Sequence, residues 1–392
     1  MSTPFYVFDF DEFDKRISAV KSALPDIPLT YSIKANPFLL MGLPDGIKHV
    51  EVCSPGELEI CKSHNIPGER IIYSGVVKNE EDIHDAVSYG VDIITCESLR
   101  HAALIQQENV KIKALLRLTS GNQFGMSIDD IDYIISNRDE YFSNLEIIGL
   151  HYYSGTQKNL KKILKDFEKL EKALNHLKTK CSYTPSLIEY GPGLTVEYFT
   201  NDNEKAEMNH LKEAAEVLNK FAKKHPLGIE MGRFLAAVTG SFFTKVVDVK
   251  NSMDTNYLLV DGGIHHINYF GQRMAMEVPS ISTISNGYKY SVAELFGKMD
   301  TTFADSTNVN YCICGSLCTV ADVLVREVTL PEASIGDVLC FKRCGAYSVT
   351  EAPVLFLSRE LPSIYLKKGS EYTLVRDVIK ASAINTGSNS LS

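Results

Sequence analysis

The sequence predicts an α/β fold in which a (β/α)8 TIM-like barrel is followed by a second domain made mostly of β-strands. Two patterns along the 392 residues indicate this fold. Eight short apolar runs rich in β-branched residues alternate with helix-like segments over the first 240 residues, which is typical of parallel strands. Beyond residue 240, short strands and turns replace the helical segments. Eight such units in about 210 residues match the size of a closed barrel.

The elements of the barrel can be placed one by one. Strands are expected at residues 30–35, 49–53, 70–74, 92–96, 113–118, 146–152, 187–190 and 228–230. Helices are expected between them at residues 56–64, 80–89, 98–107, 128–137, 158–178 and 204–223. An open doubly wound sheet is the alternative, but it predicts fewer strands and a glycine-rich loop after the first one. Residues 34–37 read Lys-Ala-Asn-Pro in that place, which is not a dinucleotide-binding loop.

The second domain is predicted from short β-runs at residues 241–249, 256–260, 309–313, 322–329, 336–342 and 363–366. A strand at residues 4–8 and a helix at 11–24 precede the barrel, and we expect them to join this domain. The predicted domains are therefore a barrel over residues 26–240, a β domain over 1–25 plus 241–375, and a flexible tail over 376–392. Residues 267–301 are irregular in sequence, which predicts a long surface loop with a short helix.

Composition narrows the classes of function. Apolar residues make up 44% of the chain, enough for a large core, and the formal net charge is −9. No basic stretch coincides with aromatic residues, so nucleic acid is not expected as a partner. No apolar run approaches the ~18 residues of a membrane span, and the N-terminal residues predict no signal peptide. The nine cysteines are scattered and lack a CxxC pair, which favours free thiols in the cytoplasm.

Lys34 follows the first barrel strand, in the stretch Tyr31-Ser-Ile-Lys34-Ala-Asn-Pro37. A lysine half withdrawn from water at a strand end can lose its proton and act as an amine nucleophile. A lone lysine is more often a solvated loop residue, so the other strand ends decide between the two interpretations. Because the strand ends of a barrel meet on one face, the residues that follow them form one candidate site. These residues are Glu57, Ser74, Gly75, Arg117, Tyr153, Thr156, Gly191, Gly193, Glu230, Gly232 and Arg233.

Residues 31–36 resemble the Y-[AS]-x-K-A-N signature of the fold-type III pyridoxal-phosphate (PLP) enzymes, the family of diaminopimelate and ornithine decarboxylases. Further motifs follow in the family's order at residues 230–233, at Cys318 and at residues 345–347. The resemblance covers about residues 4–366. It implies an alanine racemase-like barrel with a C-terminal β-barrel domain. It also implies α-decarboxylation of an amino acid, with PLP bound covalently to Lys34.

The resemblance assigns the PLP contacts residue by residue. Glu230 corresponds to the carboxylate that keeps the pyridine nitrogen protonated, and Arg117 to an arginine that contacts the phenolic oxygen. Tyr153 stands where diaminopimelate decarboxylases stack a histidine on the ring, and a tyrosine face can stack as well. Pro192 stands in the middle of the family's Gly-Gly-Gly turn and removes one backbone donor. The phosphate is expected to contact Thr156, Gly191, Gly193, Gly232, Arg233 and Tyr347.

Two positions bear on the assembly and the substrate. Cys318 corresponds to the family's catalytic cysteine, which comes from the neighbouring subunit and protonates Cα, so a homodimer with shared active sites is implied. Thr319 replaces an acidic residue that holds a distal amine, which argues against lysine, ornithine or diaminopimelate. With a threonine at this position, the chain resembles the family members that decarboxylate carrier-protein-bound glutamate in butirosin biosynthesis. The expected substrate is an amino acid, either free or tethered to an acyl or peptidyl carrier protein, in contact with Thr319, His151 and Arg273.

Several alternatives stay open at this point. An amino-acid racemase could use the same fold, although alanine racemases place an arginine where this chain has Glu230. A non-catalytic PLP carrier would resemble the barrel alone, and a regulatory homologue would have lost catalysis despite keeping Lys34 and Cys318. Without the resemblance, Cys318 is a buried structural thiol or joins Cys312 and Cys314 in a metal site. No second ligand cluster has metal-site spacing, so no metal is expected.

Overall fold

The computed structural model describes residues 2–199, 203–269, 273–300 and 307–387. Within these residues seventeen strands form, numbered here in chain order. They are β1 (Phe5–Asp9), β2 (Leu29–Ser32), β3 (His49–Val52), β4 (Ile71–Tyr73), β5 (Ile93–Cys96), β6 (Ile112–Arg117), β7 (Leu145–Tyr153), β8 (Leu187–Gly191), β9 (Leu227–Met231), β10 (Gly240–Ser252), β11 (Thr255–Val260), β12 (Ile281–Ile284), β13 (Asn308–Cys314), β14 (Val323–Pro331), β15 (Val338–Lys342), β16 (Ser363–Lys368) and β17 (Glu371–Arg376).

Thirteen α-helices form in the same described ranges. They are α1 (Phe10–Ala23), α2 (Pro55–Ser63), α3 (Glu80–Ser88), α4 (Leu99–Gln106), α5 (Ile128–Ser136), α6 (Arg138–Tyr141), α7 (Leu160–Cys181), α8 (Asn203–Ala222), α9 (Arg233–Ala236), α10 (Arg273–Met276), α11 (Val292–Lys298), α12 (Ser348–Glu351) and α13 (Ser382–Asn385). Among the helices of the described ranges, none combines the length and the apolar character that a membrane crossing requires.

The chain divides into two compact units. The barrel unit comprises Lys15–Val196 and Glu204–Leu235. In it, strands β2 to β9 close into a barrel in which each strand pairs in parallel with the next, and β2 pairs with β9 to close the ring. The strands are buried on both faces, because helices cover the outside of a parallel barrel. The structure confirms the predicted eight-stranded barrel.

The helices of the barrel unit begin at polar residues that accept hydrogen bonds from the first turn. The Ser54 side chain accepts from the backbone N–H of Glu57 at the start of α2. Asn79 and Asp82 form a reciprocal capping box at the start of α3, and Ser127 caps α5 in the same way as Ser54. Such caps satisfy backbone donors that a helix start leaves without a partner. They fix where each helix begins, and with it the length of the loop that follows the preceding strand.

The sheet unit comprises Met1–Asp14, Glu197–Asn203 and Ala236–Ser392. Its strands follow the order β14-β13-β11-β10-β1-β16-β17, and β15 pairs with both β10 and β12. β1 pairs antiparallel with β10 and parallel with β16, so the sheet is mixed. Its core includes Phe5, Val7, Phe243 and Val338, none of which is exposed. This sheet confirms the second, mostly β part of the predicted fold.

The segment over residues 267–301 differs from the predicted surface loop. Its described part contains α10, β12 and α11, and β12 pairs antiparallel with β15. Ile284 and Leu295 are 2% and 1% exposed and pack into the core of the sheet unit. Few apolar residues are needed to anchor this segment, and they are spaced too irregularly to predict a strand and a helix.

The C-terminal residues also differ from the prediction of a flexible tail over residues 376–392. Leu361 and Ile379 form an isolated backbone bridge, and α13 follows it. The Asn385 side chain donates hydrogen bonds to the carbonyl of Leu355 and to the hydroxyl of Ser358. These polar contacts order the chain without an apolar pattern in the sequence. The prediction for residues 388–392 lies outside the described residues.

Candidate active site

Lys34 lies just beyond the carboxyl end of β2. The sequence predicts a strand that runs through Lys34, but β2 ends at Ser32 and the lysine is carried by a 3-10 turn, Ile33–Ala35. The Tyr31 hydroxyl donates a 2.8 Å hydrogen bond to the carbonyl of Asn36, and the Asn36 side chain caps the next 3-10 turn. The backbone is thus fixed on both sides of the lysine.

A carboxylate and a thiol surround the Lys34 amine. Lys34 Nζ lies 2.8 Å and 3.1 Å from the two carboxylate oxygens of Glu51 and 3.2 Å from Cys53 Sγ. The Cys53 thiol in turn donates to Glu51 Oε1 at 2.9 Å. The Lys34 side chain is 38% exposed, whereas Glu51 is 3% exposed, so the amine is accessible while its partner is buried. Burial, reinforced by Glu51, raises the pKa of the Cys53 thiol, which is therefore neutral.

Glu51 and Cys53 are not among the site residues predicted from the sequence. A signal was present, because Glu51 stands between Val50 and Val52 in a fully buried strand. Ionised carboxylates are rarely buried unless they are paired, so a glutamate in such a strand predicts a cation beside it. The identity of that cation, 17 residues earlier in the chain, follows only from the closing of the barrel.

Glu230 on β9 and His151 on β7 meet inside the barrel. Glu230 Oε2 lies 3.2 Å from Nε2 of His151, and the two side chains are 7% and 2% exposed. Burial opposes the charge of Glu230, but His151, Lys34 and Arg117 outweigh it and lower the pKa of the carboxyl to about 2. Glu230 is therefore a buried carboxylate that stays ionised at neutral pH. The second ring nitrogen of His151, Nδ1, has no hydrogen-bond partner among the described residues.

Arg117 ends β6 and forms a buried ion pair with Glu97, with 9% and 4% of their side chains exposed. Glu97 also accepts a 3.0 Å hydrogen bond from the backbone N–H of Gly125. The Arg117 guanidinium lies 4.8 Å from the centroid of the Phe124 ring, a cation–π contact. Arg117 is thus held by the loop that follows its own strand. Arg117 is a predicted site residue, whereas its partner Glu97, which follows the preceding strand β5, is not.

Glycines permit a close approach of two loops beside the barrel mouth. A Cβ placed on Gly191 would lie 2.4 Å from Cδ2 of Tyr153, so the tyrosine ring lies directly against this glycine. Gly193 has a φ of +55°, and a Cβ there would lie 2.2 Å from the carbonyl oxygen of Gly155. Only glycine combines this backbone conformation with this spacing. The turn from Gly191 to Gly193 is therefore packed closely against the neighbouring loop, with Gly191 and Pro192 buried and Gly193 partly exposed.

Several other candidate residues shift the pKa of the Tyr153 hydroxyl. Burial raises its pKa most, Lys34 and Arg233 lower it, and Glu230 raises it. The side chain of Thr156 lowers the pKa of Tyr153 as well, through a hydrogen bond. Such interactions between charges weaken as the distance grows. Tyr153 therefore lies within the same cluster as the lysine and the buried carboxylate.

Gly232 brings the end of β9 against the turn that carries the lysine. A Cβ on Gly232 would lie 2.9 Å from Cβ of Ala35 and 3.0 Å from the carbonyl oxygen of Ser32. Arg233 follows it as the first residue of α9. The barrel unit carries thirteen of the predicted site residues: Lys34, Glu57, Ser74, Gly75, Arg117, His151, Tyr153, Thr156, Gly191, Gly193, Glu230, Gly232 and Arg233.

The remaining predicted residues belong to the sheet unit. Cys318 is exposed and Thr319 half-buried in the loop between β13 and β14, which Asp322 holds by accepting hydrogen bonds from the backbone N–H groups of Ile264 and Leu317. Tyr347 has a φ of +67° and precedes α12. Arg273 begins α10, and its side chain lies outside the described residues. The part that these residues play in the site stays a prediction.

No group of three or more His, Cys, Asp or Glu side chains in the described ranges is arranged to hold a metal ion. The barrel unit does fit PLP. It offers an accessible amine at Lys34, an ionised buried carboxylate at Glu230, and a glycine turn at Gly191 and Gly193 of the kind whose backbone N–H groups bind phosphate. The buried Nδ1 of His151 is a further polar atom that a ligand can satisfy.

Comparisons with known proteins give one consistent result. Residues 10–237 match the family described as pyridoxal-dependent decarboxylase, pyridoxal binding domain. The chain is 28% identical to the L-glutamyl-[BtrI acyl-carrier protein] decarboxylase of Niallia circulans, over 99% of this chain and 95% of that protein. It is 26% identical to the 2-[(L-alanin-3-ylcarbamoyl)methyl]-2-hydroxybutanedioate decarboxylase of Staphylococcus aureus, over 93% and 94%. The fold matches the crystal structure of diaminopimelate decarboxylase from Helicobacter pylori complexed with L-lysine, with a TM-score of 0.82, 20% identity, and coverage of 98% and 96%.

Proposed function

The chain belongs to the pyridoxal-dependent decarboxylases, and we propose that its substrate is an acidic or derivatised α-amino acid without a free distal amine. The protein is a PLP-dependent amino-acid decarboxylase. When bound, PLP accepts the electron pair that remains on Cα after carbon dioxide leaves. The roles of the individual residues, the substrate and the assembly are parts of the proposal.

Glu230 is the residue whose geometry carries the proposal. A buried carboxylate that stays ionised favours a cation beside it, so Glu230 holds a proton on the pyridine nitrogen of the cofactor. This residue also argues against racemisation, because alanine racemases place an arginine at this position. Lys34 binds the cofactor covalently, and Glu51 orients its amine. Arg117 contacts the phenolic oxygen, and Tyr153 stacks on the ring.

The phosphate of the cofactor is proposed to bind at the glycine turns. A backbone without side chains can approach an anion closely, and its N–H groups supply the hydrogen bonds. An arginine beside such a turn adds a charge-assisted, bidentate donor. The residues proposed for this role are Thr156, Gly191, Gly193, Gly232, Arg233 and Tyr347.

Proton return to Cα is proposed to come from Cys318 of the partner subunit, in a homodimer with shared active sites. The exposure of Cys318 within one chain supports this role, because a thiol that acts on another subunit's site has to be accessible. The cysteine delivers its proton from Sγ to the α-carbon and recovers one from solvent.

All nine cysteines are free in the structure, which supports a reducing, cytoplasmic location.

The substrate proposal rests on the neutral side chain at Thr319. A site without a carboxylate there leaves a distal ammonium group without its counter-ion. The names of two relatives, which act on a carrier-protein-bound glutamyl group and on a derivatised alanine, support a modified amino acid. A substrate tethered to an acyl or peptidyl carrier protein is therefore our preferred candidate. His151 and Arg273 are proposed to contact its carboxylate or its tether.

The test is carbon dioxide release by the PLP-loaded enzyme from glutamate, carrier-protein-bound glutamate, diaminopimelate, lysine and ornithine. We expect release from one of the two glutamyl substrates, and none of it in Lys34→Ala. Thr319→Asp should shift the preference toward the substrates with a distal amine, because it restores a counter-ion. Preferred release from diaminopimelate, lysine or ornithine by the natural enzyme would contradict the substrate proposal. Exchange of the α-hydrogen in deuterated water without carbon dioxide release would indicate a racemase.

A further inference from the structure

Lys158 is a buried lysine that the proposed function does not use. Its side chain is 2% exposed, and Nζ donates a 2.8 Å hydrogen bond to Oδ2 of Asp166. The same carboxylate oxygen accepts from the hydroxyls of Ser154 at 2.7 Å and Tyr190 at 2.9 Å. Burial lowers the pKa of Lys158, while Asp166 raises it. A buried ion pair often stabilises a fold no more than two apolar side chains of similar volume would. Stability alone therefore does not explain the Lys158–Asp166 pair.

The same lysine donates hydrogen bonds to the Gly-Pro-Gly turn on both sides of Pro192. Its Nζ donates a 2.7 Å hydrogen bond to the carbonyl of Gly191, and its backbone N–H donates a 2.8 Å bond to the carbonyl of Gly193. A Cβ on Gly193 would lie 2.8 Å from Cε of Lys158, so the aliphatic stem packs directly against the turn. Lys158 and Leu194 form an isolated parallel bridge that continues this contact.

These bonds set the orientation of two peptide groups, Gly191–Pro192, which has no N–H, and Gly193–Leu194. A trans peptide points its N–H away from its carbonyl. Because the carbonyl of Gly193 is bonded to Lys158, the N–H of Leu194 in the same peptide group points away from that lysine. Pro192 has no N–H to contribute, so the direction of the remaining donors decides how well the turn binds an anion.

We infer that Lys158 is a positioning residue for the phosphate of the cofactor, acting by holding the turn from Gly191 to Gly193 in its anion-binding orientation. This inference rests on the proposed phosphate site. All four of the Nζ contacts go to protein oxygens, those of Asp166, Gly191, Ser154 and Tyr190. Lys158 therefore acts through the turn, with Asp166 fixing the ammonium behind it.

The experiment compares two probes, PLP and pyridoxal, which lacks the phosphate. Equilibrium binding of each to the apoprotein is followed by the absorbance of the lysine-bound aldehyde. We expect Lys158→Met to weaken PLP binding by about ten-fold or more and pyridoxal binding by less than about two-fold. The phosphorus NMR signal of bound PLP should also shift in this variant, because its surroundings change. Lys158→Arg, which keeps a cation and its donors, should recover part of the PLP affinity.

Two further variants keep the test decisive. Lys169→Met is the matched control, because Lys169 also donates to a backbone carbonyl, that of Thr119 at 2.8 Å, but not in this turn. It should change neither probe. The double variant Lys158→Met with Asp166→Asn removes the buried charge left by the single change, and it should still bind PLP weakly. Equal losses for PLP and pyridoxal, or no loss for either, would overturn the inference. Failure of the natural protein to bind PLP would instead refute the proposed function.

Discussion

His151 Nε2 lies 3.2 Å from Oε2 of Glu230, across the barrel from β7 to β9. The contact joins residues 79 positions apart, and both side chains are buried. It keeps the carboxylate oriented and charged before any cofactor binds. From the sequence, Glu230 is expected at the pyridine nitrogen and His151 at the substrate. The structure adds that the two form one hydrogen-bonded unit, so a change to either residue is expected to affect the other.

Glu230 should make folding stability depend on pH in the acidic range. Folding lowers the pKa of its carboxyl from 4.5 to about 2, so the folded state binds this proton less readily than the unfolded state. The resulting stabilisation is complete above pH 4.5 and is lost as the pH falls toward 2. Urea unfolding of the wild type and of Glu230→Gln at several pH values measures it. The wild type should lose on the order of 1–3 kcal/mol more than the variant over this window.

His151→Phe serves as the companion variant. It removes a group that lowers the pKa of Glu230, so the acid-dependent loss of stability should become smaller than in the wild type. At neutral pH the same variant should unfold at lower urea concentration, because it leaves a buried carboxylate without its partner. An acid profile identical to that of the wild type would show that His151 does not hold the charge on Glu230.

Glu51 should control how fast the cofactor attaches to Lys34. Glu51→Ala removes both oxygens that fix the amine, so we expect attachment of PLP to the apoprotein to slow by about ten-fold. Glu51→Gln keeps an acceptor in the same place and should slow it less. Stopped-flow absorbance after adding PLP measures the rate. Glu59→Ala is the control, since this exposed carboxylate pairs with Lys62 within α2. Equal slowing by the Ala and Gln variants of Glu51 would point to charge rather than orientation.

Much of the fold could be predicted because it follows from local patterns. Helix α7 has apolar residues at helical spacing from Ile163 to Leu177, and its predicted range, 158–178, overlaps most of the observed one. The strands of the barrel were equally predictable, since each is a short run of mostly apolar residues. In contrast, β12 and α13 depend on a few long-range contacts. Such contacts leave no periodic signal in the sequence.

Candidate site residues could be predicted where the residue type itself suggests a chemical role. Residues that act by holding a neighbouring residue in place could not. Lys34, Glu230 and the glycines stood out by type and position. Glu51 and Lys158 did not, because their importance lies in partners that the chain brings together from other strands. For Glu51 the one local hint is a charged residue inside a buried strand, and this hint does not identify the partner. Lys158 lies among polar, partly exposed residues and gives no such hint.

Gly193→Ala should damage the proposed phosphate turn more than its backbone conformation alone explains. An alanine at its φ of +55° costs about 1–2 kcal/mol in strain. In addition, the new Cβ would press on the carbonyl oxygen of Gly155. Gly369→Ala is the matched control, because Gly369 has a φ of +58° but no atom within 4 Å of a new Cβ. We expect a larger loss of PLP affinity and of unfolding free energy for Gly193→Ala. Equal losses would mean that no close contact exists at this turn.

Shared active sites in a homodimer make a quantitative prediction about mixed subunits. Lys34→Ala and Cys318→Ala should each have little activity alone. If every site combines Lys34 of one subunit with Cys318 of the partner subunit, a mixed dimer has one site with both changes and one with neither. Purified mixed dimers, selected by a different tag on each chain, should therefore recover about half of the wild-type carbon dioxide release per dimer. The two variants mixed without subunit exchange are the control. Activity no higher than in the single variants would place both residues of each site on one chain.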